Sequence, residues 1–578
     1  MAGNGKQTAN HVINPFIKIA MYSSKKNILQ LVSLLKAHRV KHLVLSPGSR
    51  NAPVIQSLAN DDFFCCHTVV DERSAGFYAI GIAQYTGRPT ALCCTSGTAV
   101  LNYGPALAEA FYQQIPLIFI TADRPAAQID QLLGQTLPQP GIFGPLAKKS
   151  VHLPEITSGQ DFWFCNRLIN EALLEATHRQ PGPVHINLPL SEPLFEYEDI
   201  DPPPPARIIS RYEPEPTSFH PYGERFRNFR RPLLLVGQQT DGELLQPLCE
   251  LQNRHHCVVL AEHPANLPAS YFIRNFDALL FSLSENEQPL YAPDLLLTVG
   301  GHLVSKRIHR FFRDNPTKEH WHISADGKIV DTYRRLTDVI ETKAAPFLAY
   351  LAGQKEREPS PAADENTFFR QWHFRSRQIP EPTGAYSDLM AAGALMKALP
   401  ENACLQLANS SSVRLAQLFR PAAERLRIFS NRGTNGIDGC LSTAVGQAGV
   451  NPDLTFLLIG DLAFFYDMNI LWNRPLVPGL RILLNNNQGG EIFYTLPGFV
   501  ASPQTEKHIA MRHTETACDW ATSRGLIYLS AHNRQSLEDA MPAFVDRRTE
   551  QPMLLEVFTS PEENAKTLLR YNLSLKGR

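Results

Sequence analysis

The sequence predicts an α/β protein built from three doubly wound parallel-sheet domains. Short apolar runs end in Gly, Ser, Asn or Asp and are followed by stretches with helical spacing, again and again along the chain. That alternation is the pattern of parallel sheets with helices on both faces. At 578 residues the chain is too long for one core, and three domains are expected. Two proline-rich breaks divide it, Asp201-Pro202-Pro203-Pro204-Pro205 and Glu356-Arg357-Glu358-Pro359-Ser360-Pro361. They leave an extension over 1–21 and domains over 22–200, 201–360 and 361–578.

Composition excludes some function classes. The net charge is −1, with 43% hydrophobic and 19% charged residues, so nothing favours nucleic acid or an acidic membrane surface. No run approaches the roughly 18 apolar residues of a membrane span. The first twenty residues lack the apolar core of a signal peptide, so membrane insertion is not expected and the cytoplasm is. The adjacent pairs Cys65-Cys66 and Cys93-Cys94 point to opposite faces of a strand, and no Cys-x-x-Cys occurs, so the ten cysteines read as reduced thiols.

In the first domain, residues 27–38 have apolar positions at 28, 31, 32, 34 and 35 and form a helix capped by Ser23 or Ser24. Strand 42–45 ends in Ser46-Pro47-Gly48-Ser49-Arg50-Asn51 ahead of a helix from Ala52. Free amides at a helix start beside Arg50 make an anion site, or else a simple cap. Strand 63–70 ends in Asp71-Glu72-Arg73 before helix 75–85. Strand 89–94 leads through Thr95-Ser96-Gly97-Thr98 to helix 99–112, and strand 116–120 leads to Thr121-Ala122-Asp123-Arg124-Pro125. The Gly/Pro-rich segment 134–145 carries Gln135 and reads as an active-site loop. Helix 162–177 and strand 184–188 close the domain.

The second domain repeats the alternation, with strands 232–237, 257–261 and 295–300. Its polar signal is Lys306-Arg307, which either binds an acidic substrate or is solvated. In the third, strand 403–407 ends in Asn409-Ser410-Ser411-Ser412, with Arg414 on the next helix. Ser430-Asn431-Arg432-Gly433 and Gly436-Ile437-Asp438-Gly439 follow. Then comes strand 454–459, Gly460-Asp461, helix 464–472 and strand 480–484 ending in Asn485-Asn486-Asn487. The first and third domains are organised alike, without a residue-level repeat.

The strand ends suggest chemistry. Asp461 offers a carboxylate oxygen, Asn487 a neutral carbonyl oxygen, and Gly489-Gly490 lets the backbone approach closely. Such a small oxygen set suits Mg²⁺, which completes its shell with phosphates and water; an ordinary βαβ unit with Asn/Gly turns would look similar. Glu72 follows the apolar run Phe63-Phe64-Cys65-Cys66-His67-Thr68-Val69-Val70. A carboxyl group in such surroundings has its pKa raised and stays protonated near neutrality, unless the turn is exposed and its charges are paired. Ile437, in a Gly-flanked turn, is either a wedge beneath a ligand or a core residue. Arg50, Arg124, Lys306, Arg307, Arg414 and Arg432 fall at strand ends or helix starts. If they converge, the ligands carry several carboxylates; singly, each is an ordinary surface cation.

Gly-Asp, a helix, then Asn-Asn resembles the signature of thiamine-diphosphate enzymes. The segments Ser46 to Arg50, Asp71-Glu72-Arg73, Thr95 to Ala99, Thr121 to Pro125, Ser430 to Gly433 with Gly436 to Gly439, and Asn485 to Phe493 resemble, in order, the 2-succinyl-5-enolpyruvyl-6-hydroxy-3-cyclohexene-1-carboxylate synthase family of menaquinone biosynthesis, over roughly residues 22–560. The resemblance implies pyrimidine-binding, central and diphosphate-binding domains. It implies that 2-oxoglutarate adds to the cofactor ylide, loses CO₂ and leaves a carbanion that adds to isochorismate in Stetter fashion. It further implies that Glu72 activates the cofactor, with Arg50, Gln135 and Arg414 also catalytic. Asp461, Asn487 and the Gly489 carbonyl would bind Mg²⁺, or Mn²⁺ in its place. Ser410, Arg432, Ile437, Ile492, Phe493 and Leu496 would cradle the cofactor. Ser49, Arg50, Arg124, Gln135, Lys306, Arg307, Arg414 and Arg432 would contact substrate. A homodimer with shared sites, or a homotetramer, is implied as well. The sequence departs from the family at Gly134, where Asn is usual, and at Ala463, where Ser is usual.

Two other readings compete. An acetolactate-synthase-like carboligase would share the Asp461/Asn487 pair, but the cations suit dicarboxylates better than pyruvate. A non-catalytic cofactor-binding protein on the same fold would have no need of Glu72.

Overall fold

The computed structural model of the protein describes residues 21–199, 205–211, 219–268, 270–355, 367–473, 475–496 and 498–576. The extension up to residue 20, positions 201–204 of the first proline-rich break and the whole 356–361 break lie outside the described residues.

Apolar, mostly leucine-rich runs become buried parallel strands, and most of the fold follows from their order. The strands are β1 (Met21–Ser23), β2 (His42–Leu45), β3 (Cys65–Thr68), β4 (Thr90–Cys94), β5 (Leu117–Asp123), β6 (Lys149–His152), β7 (Val184–Pro189) and β8 (Tyr197–Asp199). Then come β9 (Pro232–Val236), β10 (Val258–Ala261), β11 (Leu295–Val299), β12 (Glu319–Ile323) and β13 (Leu336–Ile340). The last are β14 (Cys404–Leu407), β15 (Arg427–Ser430), β16 (Thr455–Gly460), β17 (Leu480–Asn486), β18 (Ile527–Ala531) and β19 (Met553–Phe558).

β1 and β8 pair with each other, and the other strands form three parallel sheets, in the orders β3-β2-β4-β5-β7-β6, β10-β9-β11-β12-β13 and β15-β14-β16-β17-β19-β18. Counted from its own first strand, the first sheet runs second-first-third-fourth-sixth-fifth, and so does the third. The likeness of organisation read from the sequence is thus a likeness of topology. In both, strand order reverses between the first and third strands, and the carboxyl ends at such a reversal are where ligands bind in open sheets. Those ends are Ser46–Asn51 and Thr95–Thr98 in the first sheet, and Asn409–Ser410 and Asp461 in the third.

The first and third sheets share one buried core. Phe77 and Ile80 of helix Glu72–Thr86 pack with Leu441 and Ala444 of helix Cys440–Ala448 and with Leu457 and Ile459 of β16. The two helices touch backbone to backbone: a Cβ on Gly81 would lie 2.1 Å from the Thr443 carbonyl oxygen, and one on Gly446 2.2 Å from that of Tyr78. Gln447 adds Nε2 donations to Gln84 and Gln406, both at 3.0 Å.

Several boundaries differ from expectation. Helix Lys26–Ala37 is preceded by Lys25, without a side-chain cap, because Ser23 belongs to β1, paired antiparallel with β8. The expected strand 63–70 shortens to β3, an edge strand whose residues alternate between half-buried and exposed, since an edge is covered on one side only. Helix 99–112 breaks into Thr98–Asn102 and Gly104–Gln113, the second starting with Pro105 in its first turn. Helix 464–472 is an α-turn segment Asp461–Asp467 followed by a 3₁₀ segment Met468–Trp472. No helix among the described residues is long and apolar enough to cross a membrane.

Gly81→Ala is expected to force the two helices apart and to lower stability by about 1–3 kcal/mol, the usual range for overpacking. Gly104→Ala, with nothing within 4 Å of the added methyl, should be close to neutral. Denaturant midpoints of the two variants check this.

Candidate functional site

Asp461 opens the helix after β16 and is 2% exposed. Its Oδ2 accepts from the Gly489 amide at 3.0 Å and lies 3.3 Å from His513 Nε2. β17 carries the chain through Asn486 into a turn with positive φ at Gln488 (64°) and Gly489 (148°). A Cβ on Gly489 would lie 2.6 Å from the Ala510 carbonyl oxygen, so only glycine fits this approach. Asn487 is buried; its Nδ2 donates to Asp388 Oδ2 at 2.8 Å and Glu491 Oε2 at 3.0 Å. Its Oδ1 is buried without a hydrogen-bond partner. An orphaned amide oxygen beside a carboxylate and a glycine turn fits a hard divalent cation. The Gly489 carbonyl accepts from the Glu491 amide at 3.1 Å and keeps a second lone pair. Among the described residues no group of three or more His, Cys, Asp and Glu could hold a metal, as expected for a set with one carboxylate.

Burial raises the pKa of Asp388, and burial together with the adjacent Asp388 carboxyl raises that of Glu491 well above the ordinary range. Beyond Glu491, Ile492 and Phe493 are half-buried and Leu496 is exposed, so the three present apolar surface.

Glu72 opens helix Glu72–Thr86, whose N-cap Asp71 accepts from the Arg73 and Ser74 amides. It is half-buried, and Asn102 Nδ2 donates to its Oε2 at 3.1 Å. The expectation that an apolar strand encloses it is corrected: β3 is a partly exposed edge. What surrounds Glu72 instead is a cavity of about 380 Å³ lined with Thr95, Ser96, Gly97, Asn102 and Gln135. Gln135, with φ 58°, is exposed; its carbonyl accepts from Ser96 Oγ at 2.9 Å. The cavity lining includes none of Asp461, Asn487 and Gly489.

Of the six cations, the structure brings Arg414 and Arg432 together. Burial and the nearby Arg414 guanidinium hold the Arg432 pKa below its usual value. Arg432 is 7% exposed, its Nη1 donates to Asn409 Oδ1 at 3.0 Å, and the Nε of both arginines is buried without a partner. Two like charges with unmet donors form a seat for an anion. Ser410, next to Asn409, holds φ 70° and ψ −125°, a strained backbone for a non-glycine residue. Ile437 is 40% exposed, which excludes its reading as a core residue.

In the first domain, Arg50 is buried, donating to the Leu190 carbonyl at 2.9 Å and pairing with Glu192 at 3.0 Å. Arg124 is half-buried with an unpartnered Nε, and Ser49 is exposed. Arg307 pairs with Asp277 and lies 4.4 Å over the Phe281 ring, so its charge is already met, while Lys306 is exposed.

The family model described as thiamine pyrophosphate enzyme, N-terminal TPP binding domain, matches residues 29–142, and that for the middle domain of thiamine pyrophosphate matches 225–406. The chain is 48% identical to 2-succinyl-5-enolpyruvyl-6-hydroxy-3-cyclohexene-1-carboxylate synthase of Bacteroides thetaiotaomicron over 96% of its length and 100% of the relative's. The synthase of Phocaeicola vulgatus gives the same three figures, and that of Porphyromonas gingivalis is 36% identical over 96% and 98%. The chain belongs to the 2-succinyl-5-enolpyruvyl-6-hydroxy-3-cyclohexene-1-carboxylate synthase family. It is an enzyme of the thiamine-diphosphate class.

Sequence reasoning missed the groups that hold this candidate site in place. Glu109 is buried on helix Gly104–Gln113 and accepts from the Gly433 and Thr434 amides at 2.8 and 2.6 Å, tying the Arg432 turn to the first domain. Gln139, within the 134–145 loop, accepts from the Gly97 amide at 3.0 Å and donates to Ala122 O and Asn187 Oδ1. Glu262 accepts from the Val304 and Ser305 amides at 2.5 and 2.8 Å, just before Lys306. None carries a motif, because each acts on backbone far away in sequence.

Burial pushes the Glu262 carboxyl up to about 7, against a usual 4.5. A folded pKa above the unfolded one means no penalty below about pH 4.5, and stability lost as pH rises from about 4.5 to 7. Glu262→Gln is expected to flatten the fall in melting temperature across that window. An unchanged slope in the variant would count against the assignment.

Proposed function

We propose that this enzyme decarboxylates 2-oxoglutarate and adds the resulting succinyl unit to isochorismate, giving 2-succinyl-5-enolpyruvyl-6-hydroxy-3-cyclohexene-1-carboxylate and CO₂ in menaquinone biosynthesis. The observation that carries this reading is the convergence of Arg414 and Arg432, each with a buried unmet donor, beside Asn409 and Ser410. Both substrates are dicarboxylates, and guanidinium groups bind carboxylates through two parallel hydrogen bonds.

Thiamine diphosphate supplies a carbon nucleophile and an electron sink when bound. Asp461, Asn487 Oδ1 and the Gly489 carbonyl would hold Mg²⁺, or Mn²⁺ in its place, which would help bind the cofactor. Ser410, Arg432, Ile437, Ile492, Phe493 and Leu496 would cradle the cofactor. Glu72 would reach the cofactor's pyrimidine ring with its carboxyl group and take part in the proton transfer that activates the cofactor. Arg414 and Arg432 orient substrate carboxylates, joined by Ser49, Arg50, Arg124, Gln135 and Lys306. Arg307 contributes only on release from Asp277.

The domains run over 22–200 for the pyrimidine end, 201–360 for the centre and 361–578 for the diphosphate end. The active unit is a homodimer with shared sites, or a homotetramer of two such pairs. In support, the Glu72 cavity and the Asp461 turn do not share a lining, and Val70, Tyr466 and Trp472 expose apolar surface around the 70–73 turn. The ten thiols fit a reducing cytoplasm.

CO₂ release from 2-oxoglutarate, with thiamine diphosphate and Mg²⁺, should be accompanied by matching loss of isochorismate. Release that ignores isochorismate would remove the acceptor from the reading, and turnover of pyruvate alone would favour an acetolactate-synthase-like carboligase. Glu72→Gln should lower turnover at least ~100-fold, the scale of a proton-transfer contribution, while cofactor and Mg²⁺ still bind; wild-type turnover would refute its role. Arg414→Ala should raise KM for a dicarboxylate substrate about tenfold or more, the scale of a lost charged hydrogen bond, with cofactor affinity unchanged. Equal KM values in variant and wild type would remove Arg414 from the substrate site.

A further inference from the structure

We infer that Asp388 and Glu491 are positioning residues for the metal site: together they engage Nδ2 of the Asn487 amide and so leave its Oδ1, and not its Nδ2, free for the metal. The inference rests on the proposed Mg²⁺ role of Asn487 and names the groups that make that role available.

An amide side chain can sit in two orientations of nearly equal shape, and its neighbours decide between them. Asn487 Nδ2 meets two acceptors, Asp388 Oδ2 at 2.8 Å and Glu491 Oε2 at 3.0 Å. Turned the other way, the amide would set Oδ1 against two carboxyl oxygens and lose both bonds. It would also aim an NH₂ group at a cation. The observed orientation leaves Oδ1 buried and unpartnered, able to accept a metal without breaking a hydrogen bond. The backbone of the same residue is pinned separately, since Arg512 Nη1 donates to its carbonyl at 2.7 Å.

Asp388 is itself held from several directions. It sits in the first turn of helix Asp388–Ala398, behind the cap Ser387. Its amide donates to Asn564 Oδ1 at 2.9 Å, and its Oδ1 accepts from the Thr559 hydroxyl at 2.5 Å. Asn564 in turn donates to Thr559 Oγ1 at 3.1 Å. The start of the third domain, the end of β19 and the helix Pro561–Leu575 thereby converge on one carboxyl group. Such a brace fixes where the acceptor for Asn487 stands. Outer-shell partners of this kind typically contribute 10–100-fold to metal affinity.

The test is a Mn²⁺ titration of the full-length protein with thiamine diphosphate, followed by electron paramagnetic resonance of the free ion. Asp388→Ala is expected to weaken Mn²⁺ binding about 10–100-fold, and Asp388→Asn, whose amide oxygen can still accept, to recover most of the loss. Glu491→Ala, in the turn itself, is the second variant should Asp388→Ala fail to fold, and it should weaken binding in the same sense. Wild-type Mn²⁺ affinity in a folded Asp388→Ala or Glu491→Ala protein overturns the inference. Asp461→Asn, titrated alongside, separates the two levels. If it weakens Mn²⁺ binding while the Asp388 and Glu491 variants do not, only the positioning role falls. If it too leaves binding unchanged, the metal assignment falls with it.

Discussion

The site depends on a close approach of two helices. Glycines at 81 and 446 let helix Glu72–Thr86 and helix Cys440–Ala448 meet backbone to backbone, with no side chain between them. Each helix carries site residues at its amino end: Glu72 begins the first, and the Gly436–Gly439 turn with Ile437 leads into the second. Their spacing sets how the first sheet stands against the third. A methyl group at the crossing would move whole strand ends, because packed cores transmit such strain instead of absorbing it locally.

The first and third sheets solve one topological problem twice. Each reverses its strand order between its first and third strands, and each places small and polar residues at that reversal. The first sheet furnishes a cavity rimmed by Glu72 and Gln135; the third furnishes Asn409, Ser410 and Asp461. The central sheet, lacking the sixth strand, supplies support. Glu262, just past β10, grips the amides before Lys306, and the neighbouring His263 donates its amide to Gln417 Oε1 at 2.9 Å, on the segment after Arg414.

Around the site, some buried carboxyl groups are matched in full. Asp467 is wholly buried and pushed up to about 7, yet both its oxygens accept from Ser442. Glu109 is met by two amides and a hydroxyl. Among the buried polar atoms without a partner, Asn487 Oδ1 and the Nε atoms of Arg414 and Arg432 are the ones assigned to a cation and to anions in the proposed function. The strained Ser410 backbone lies beside the same arginines, where the surrounding bonds of Asn409 to the Asn431 and Gly436 carbonyls over-determine the turn.

The sequence by itself determined the sheet class, the division into alternating units and the strand-end residues, because apolar period and Gly/Asn/Asp punctuation are local signals. Asp461 and Asn487 were legible for that reason, as was the run from Ser430 to Gly439. Only the tertiary structure decided that β3 is an exposed edge, so that Glu72 owes its surroundings to a cavity and not to its own strand. It also decided that Arg414 and Arg432 converge while Arg307 is drawn to Asp277. The residues that brace the site, Glu109, Gln139, Glu262 and Asp388, left no trace in local pattern. The bonds by which each braces the site reach groups tens to hundreds of positions away along the chain, and a hydrogen bond depends on distance in space, which sequence separation does not encode.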